Sequence, residues 1–130
     1  NRSQLIKKQN YTLLLDAYNA NPSSMQASLE NFAHRSASQK LVLLGDMFEL
    51  GESSEIEHLK IAKLASDLKF EKVVLIGKNF FKIKSSAPKA LFFETTQKAA
   101  DWLKDYPKAG SEILIKGSRG MALEKILEQL

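Results

Sequence analysis

Five short apolar runs punctuate the chain, and each is followed by a polar or glycine-bearing stretch and then by apolar residues at helical spacing. The runs are YTLLL at 11–15, LVLL at 41–44, VVLI at 73–76, ALFF at 90–93 and ILI at 113–115. Continuous rather than alternating apolar runs predict strands buried on both faces. Residues 3–8 predict a further strand, which Gln9-Asn10 turns back so that it pairs antiparallel with 11–15. The helical stripes are Met25, Leu29, Phe32 and Ala33, then Ile61, Leu64, Ala65 and Leu68, then Ala99, Trp102 and Leu103, and finally Leu123, Ile126, Leu127 and Leu130. Asn21-Pro22 opens the first helix, because asparagine caps and proline is tolerated where no amide donor is needed. Thr95 is placed to cap the helix that carries Trp102, whose spacing puts it in the core. His58 is expected on the solvent side of its helix, and His34 near a helix end. The lysine-rich stretch 78–89 predicts a short helix and then a loop at Ser85-Ser86.

Strand, polar turn and helix in repetition require crossover connections, which are right-handed and lay helices on both faces of a parallel sheet. The expected fold is α/β: a Rossmann-like three-layer domain, with a mostly parallel sheet and one antiparallel N-terminal hairpin strand. No linker or repeat divides the 130 residues, so one domain spans 1–130.

Composition removes several functions. With 44% hydrophobic and 26% charged residues the chain can build a core and is not disordered. No apolar run approaches the roughly 20 residues of a membrane-spanning helix, so no membrane partner is expected, and a cytoplasmic location fits. Zero cysteines exclude disulfides and thiolate chemistry, and two histidines exclude a histidine-rich metal site. The net charge of +4 is spread over single and paired lysines, without the basic block of a nucleic-acid binder. It favours phosphorylated or carboxylated ligands in a general way.

Open parallel sheets bind ligands beyond the carboxyl ends of their strands, and three of those ends are polar here: DAYNANP from Asp16, GDMFELG from Gly45 and KGSRG from Lys116. Asp16 is placed to accept hydrogen bonds from two adjacent hydroxyls, as on a ribose. Asn19 and Asn21 donate and accept, and the following helix directs its positive end at the same space. Lys116 and Arg119 bring cations suited to a carboxylate or phosphate. Each residue also has a purely structural use: Asn21 and Ser118 as caps, the glycines as relief for tight turns, Arg119 as a surface residue. Neither a phosphate loop nor a dinucleotide fingerprint occurs, and no nucleophile elbow or histidine–carboxylate pair is readable. The residues describe a binder of polar ligand parts and not a complete catalyst.

The three segments DAYNANPSSM, LGDMFELG with EIEH behind it, and LIKGSRGM resemble, in that order, the carboxy-terminal domain of the Mur ligase family. The resemblance covers the chain from Arg2 to its final helix. It is narrowest to the members that join D-alanyl-D-alanine to UDP-N-acetylmuramoyl-tripeptide. It implies the third domain of a three-domain ligase, whose own N-terminal and central domains bind the UDP-sugar and carry the ATP phosphate loop. The reaction it implies activates a peptide carboxylate as an acyl phosphate with ATP and Mg, and the dipeptide amine then displaces phosphate. The Mg ligands are expected on the central domain. By the same resemblance Asp16 holds the ATP ribose, Arg2 reaches the nucleotide phosphates, and Tyr18, Asn19 and Asn21 line the nucleotide edge. Lys116, Ser118 and Arg119, with Asp46, Glu49 and His58, fall on the dipeptide side. No catalytic residue is implied in this domain, which alone should be inert.

Two other classes stay open on the residues. One is a stand-alone Rossmann-like module that binds a nucleotide or small molecule without catalysis, decided against the first by whether the coding sequence upstream holds a phosphate loop. The other is a phospho-receiver-like domain, which Asp16 and Lys116 half satisfy but which needs an acidic pair at the first strand end.

Overall fold

The computed structural model describes residues 3–130. Arg2, expected at the nucleotide phosphates, lies outside the described residues. Six strands form one sheet: β1 (Gln4–Lys7), β2 (Thr12–Asp16), β3 (Gln39–Gly45), β4 (Lys72–Ile76), β5 (Leu91–Phe93) and β6 (Ser111–Lys116). Their order is β1-β2-β6-β3-β4-β5. Only the β1–β2 pair is antiparallel, which is the expected hairpin. The α-helices are α1 (Pro22–Ala33), α2 (Ser54–Asp67), α3 (Lys78–Lys82) and α4 (Thr96–Asp105).

The strand order decides which helix lies where. The connections β2–α1–β3, β3–α2–β4 and β4–α3–β5 all step the same way along the sheet, whereas β5–α4–β6 steps back. Right-handed crossovers therefore put α1, α2 and α3 on one face and α4 on the other. Packing agrees. Met25, Leu29 and Phe32 of α1 share a core with Ile61, Ala62 and Ala65 of α2 and Phe80 of α3. Ala99, Ala100 and Leu103 of α4 share the opposite core with Leu123 and Ile126. The continuous apolar strands feed both cores alternately: Val42 and Leu44 point to the first, Leu41 and Leu43 to the second.

The helix ends are closed by recognisable devices. Asn21 and Ser24 form a capping box on α1, with the Asn21 side chain accepting from the Ser24 amide at 2.9 Å. Thr95 caps α4 as expected. At the other ends lysines serve. Lys40 Nζ donates to the carbonyls of Ala33 and Arg35 behind α1, and Lys108 Nζ to those of Leu103, Lys104 and Tyr106 behind α4.

Three expectations need correction. The final segment is not an α-helix: Arg119–Met121 and Leu123–Gln129 are 3₁₀-helical. Leu123 and Ile126, three residues apart, bury against α4, while Leu127 and Leu130 are only partly buried. A three-residue repeat suits the eclipsed 3₁₀ geometry, and Ala122, in the left-handed region at φ 54°, separates the two pieces. His58 does not face solvent; it is fully buried. Trp102 lies at the edge of its core, stacked on Tyr106 at 4.7 Å between ring centroids.

Near the amino end of β6, Arg35 grips Glu112 through two bonds, Nε to Oε1 and Nη2 to Oε2 at 3.0 Å. This fork holds the Glu112 carboxyl below its ordinary 4.5 and raises Arg35. A lowered carboxyl stabilises the fold above its unfolded value and loses that contribution as pH falls through the folded one. Because Arg35 is 40% exposed, the contribution is modest. Glu112→Gln should lower the unfolding free energy by about 0.5–1 kcal/mol at neutral pH. In urea titrations that difference should shrink progressively below pH 4.5.

Candidate ligand-binding edge of the sheet

The carboxyl ends of β2, β6 and β3 lie side by side, with Asp16 paired to Lys116 and Lys116 to Leu44. The chain leaves β2 and β3 towards the α1 face and leaves β6 towards the α4 face, so the strand order reverses here. Such a switch point leaves a crevice beyond the strand ends. All three polar segments meet at it.

Their loops are tied to one another by the backbone. The Ser118 amide donates to the Asp46 carbonyl at 3.0 Å, and the Phe48 amide donates to Ser118 Oγ at 2.9 Å. Ser118 is thus a bridge between the β6 and β3 loops, and at the start of the Arg119–Met121 turn its side chain makes no capping hydrogen bond. Gly117 is required there, since a Cβ would stand 2.8 Å from the Gly45 Cα and 2.6 Å from Leu123.

Asp46 and His58 are turned inward. Both Asp46 oxygens accept backbone amides at the start of α3, from Asn79 at 2.9 Å and Phe80 at 3.0 Å. Gly77, at φ 122°, lies so close that a Cβ would collide with this carboxylate. His58 Nε2 accepts from the Met47 amide at 3.0 Å, and Nδ1 lies 2.7 Å from the Ser54 carbonyl. A ring that accepts at one nitrogen and faces a carbonyl with the other is the neutral Nδ1–H tautomer. The direct dipeptide contact expected of Asp46 and His58 is unavailable to these groups: both are buried and their polar atoms are used within the fold. They hold the β3 loop in place. The sequence did carry a sign of this, because His58 falls in one stripe with Ile61, Ala62 and Ala65 at i+3, i+4 and i+7.

Lys116 is also turned away from where it was expected. It is 2% exposed, and its ammonium lies 2.6 Å from Asp16 Oδ2 and 3.4 Å from the Asn19 carbonyl. The remaining candidates are outward. Tyr18, Asn19, Asn21, Glu49 and Arg119 are exposed. The Arg119 guanidinium sits over the Tyr18 ring at 5.1 Å, linking the β2 and β6 loops. Asn21 keeps its side-chain oxygen in the α1 cap. Glu49 adopts a left-handed backbone at φ 65°.

Two hollows flank this edge. One of about 590 Å³ lies beside the β3 loop and is lined by Phe48, Glu49, Glu52, Glu55, Asn79 and Lys82. The other, about 390 Å³, includes Asp16 together with Ser3, Leu5, Leu14, Asn31 and Arg35. Phe48, which sequence reasoning passed over, is 42% exposed and packs against Gly120. Among the described residues no group of three or more histidine or acidic side chains is arranged to hold a metal ion. No helix there is long and apolar enough to cross a membrane.

The buried amide of Met47 makes His58 testable. His58→Phe keeps an aromatic ring there but leaves that donor unpaired and adds bulk, so it should cost at least about 1–3 kcal/mol in denaturant unfolding. His58→Gln, which offers an acceptor, should cost less.

Residues 1–119 match the family described as Mur ligase, glutamate ligase domain. Among curated relatives, the UDP-N-acetylmuramoyl-tripeptide--D-alanyl-D-alanine ligase of Rickettsia prowazekii is 33% identical over 130 residues, covering 98% of this chain and 29% of that protein. The enzyme of the same name from Treponema pallidum is 36% identical over 121 residues, covering 88% of this chain and 26% of its own length. Among solved structures, MurF from Acinetobacter baumannii superposes with a TM-score of 0.86 at 28% identity, over 99% of this chain and 29% of that one. The MurF ligase of Thermotoga maritima, solved in complex with ADP, gives 0.83 at 27% identity, over 98% and 30%. The chain therefore spans about three tenths of the length of the relatives it matches. With the sheet order, the three polar loops and a family match over nearly its whole length in agreement, the chain belongs to the Mur ligase family as a glutamate ligase domain.

Proposed function

We propose that this chain is the carboxy-terminal, third domain of a cytoplasmic ligase that joins D-alanyl-D-alanine to UDP-N-acetylmuramoyl-tripeptide at the expense of ATP. The observation that carries the reading is the convergence of three polar loops at the strand-order switch, the nucleotide segment on one side of Lys116 and the acceptor segment on the other. The names of the relatives and the ADP held by one of the matched structures support it.

In this reading the domain binds and orients, and the chemistry takes place at its edge. Asp16 accepts the ribose hydroxyls of ATP; a fixed carboxylate suits two adjacent donors. Tyr18, Asn19 and Asn21 shape the nucleotide side, and Arg2 reaches for the phosphates. Arg119 and the Ser118 loop receive the dipeptide, the guanidinium matching its carboxylate as a fork. Glu49 is placed to accept from its ammonium. Asp46 and His58 act at one remove, by fixing the loop that bears Glu49. Magnesium has no fitting donor set among the described residues, since Asp16 is paired with Lys116 and Asp46 with two amides. Its ligands belong to the remainder of the ligase. Closure of that remainder over this edge excludes water from the acyl phosphate.

Steady-state kinetics on the full-length enzyme test the assignment. Asp16→Ala should raise KM for ATP about 10–100-fold, the size of a lost hydrogen bond to a charged group, and leave KM for the dipeptide nearly unchanged. Arg119→Ala should do the reverse. The 130-residue chain alone should release no phosphate from ATP. Unchanged constants for both substrates in both variants would refute the site assignment.

A further inference from the structure

Lys116 lies on the acceptor loop by sequence but serves the nucleotide side by geometry. Its ammonium is enclosed at 2% exposure, with one carboxylate as counter-ion, and it donates to Asp16 Oδ2 at 2.6 Å and to the Asn19 carbonyl at 3.4 Å. An ammonium has three donors and no acceptor. Two are engaged across the strand boundary, one at the start of DAYN and one near its end. Lys116 therefore clamps both ends of the four-residue stretch that faces the nucleotide. To reach a dipeptide carboxylate it would have to abandon Asp16 and leave that charge without its partner, in a site where only 18% of the Asp16 side chain is exposed. Its backbone offers no slack either, because Gly117 is pressed against Gly45 directly behind it.

We propose that Lys116 is a positioning residue for nucleotide binding, acting through Asp16 and the Asn19 carbonyl, and not a contact for the dipeptide. By occupying Oδ2 it fixes the carboxylate plane, so that Oδ1, which has no hydrogen-bond partner among the described residues, is presented to a ribose hydroxyl. The proposal rests on the ligase reading above and deepens it. It also makes the two halves of the site unequal. The lysine of KGSRG belongs to the nucleotide half, and recognition of the dipeptide begins at Ser118 and Arg119.

The test is a kinetic series on the full-length ligase with Lys116→Met, Asp16→Asn and the double variant, each checked for a native thermal unfolding transition. Lys116→Met should raise KM for ATP tenfold or more while KM for D-alanyl-D-alanine stays within twofold. The same substitution made on top of Asp16→Asn should add less than threefold, since both act through one carboxylate. Lys116→Gln, which keeps amide donors in place of the ammonium, should fall between wild type and Lys116→Met, and it carries the test should Lys116→Met fail to fold. A dipeptide KM that rises as much as the ATP KM, full additivity in the double variant, or folded variants with both constants unchanged would overturn the proposal. Failure of the underlying reading looks different: the unsubstituted full-length enzyme would form no amide bond between the two substrates.

Discussion

A buried ammonium needs a carboxylate beside it, and the sheet order is what brings one to Lys116. Strand β6 inserts between β2 and β3, so the end of the last strand stands next to the end of the first parallel one, 100 residues earlier. Breaking such a pair by removing one member typically costs about 3–5 kcal/mol, because the other charge is left enclosed. The pair therefore holds β6 in register against β2 at the carboxyl edge of the sheet. With that register fixed, the KGSRG loop has one place to go, over the β3 loop.

From there the order spreads through the backbone. Ser118 ties the β6 loop to the β3 loop at two points, and His58 and Asp46 tie the β3 loop down to α2 and α3. Polar groups that could have served as ligand contacts are spent on holding loops still. Among the described residues of these loops, Tyr18, Asn19, Asn21, Phe48, Glu49 and Arg119 are exposed on top. This division is physically sensible: a site holds its geometry only when the residues behind the contacts are themselves locked by packing and hydrogen bonds.

The regular part of the fold is legible in the sequence because its signals are local. LVLL, VVLI and ILI have one stable home in a parallel sheet, and Asn21-Pro22 marks a helix start that the capping box confirms. What escapes sequence reasoning depends on contacts between distant residues. Asp46 reads as a candidate ligand group until α3 is seen to begin against it, 33 residues on. Lys116 reads as a cation offered to a ligand until Asp16 is placed beside it. His58 is the instructive exception, since its helical register with Ile61 and Ala65 was visible and a titratable side chain masked it. The last segment misleads because Leu123, Ile126, Leu127 and Leu130 fit an α-helical stripe and a three-residue repeat almost equally well, and packing on α4 selects the second.

One rim of this domain thus carries two kinds of residue, a buried set that holds the loops in place and an exposed set above it, and the Lys116–Asp16 pair joins the end of β6 to the end of β2. The most direct measurement is a crystal structure of the full-length protein with a non-hydrolysable ATP analogue and D-alanyl-D-alanine. A ribose hydroxyl within hydrogen-bond distance of Asp16 Oδ1, Lys116 still on Oδ2, and the dipeptide carboxylate at Arg119 is the predicted result. A nucleotide bound away from Asp16, or a Lys116 ammonium swung onto the dipeptide, would contradict it.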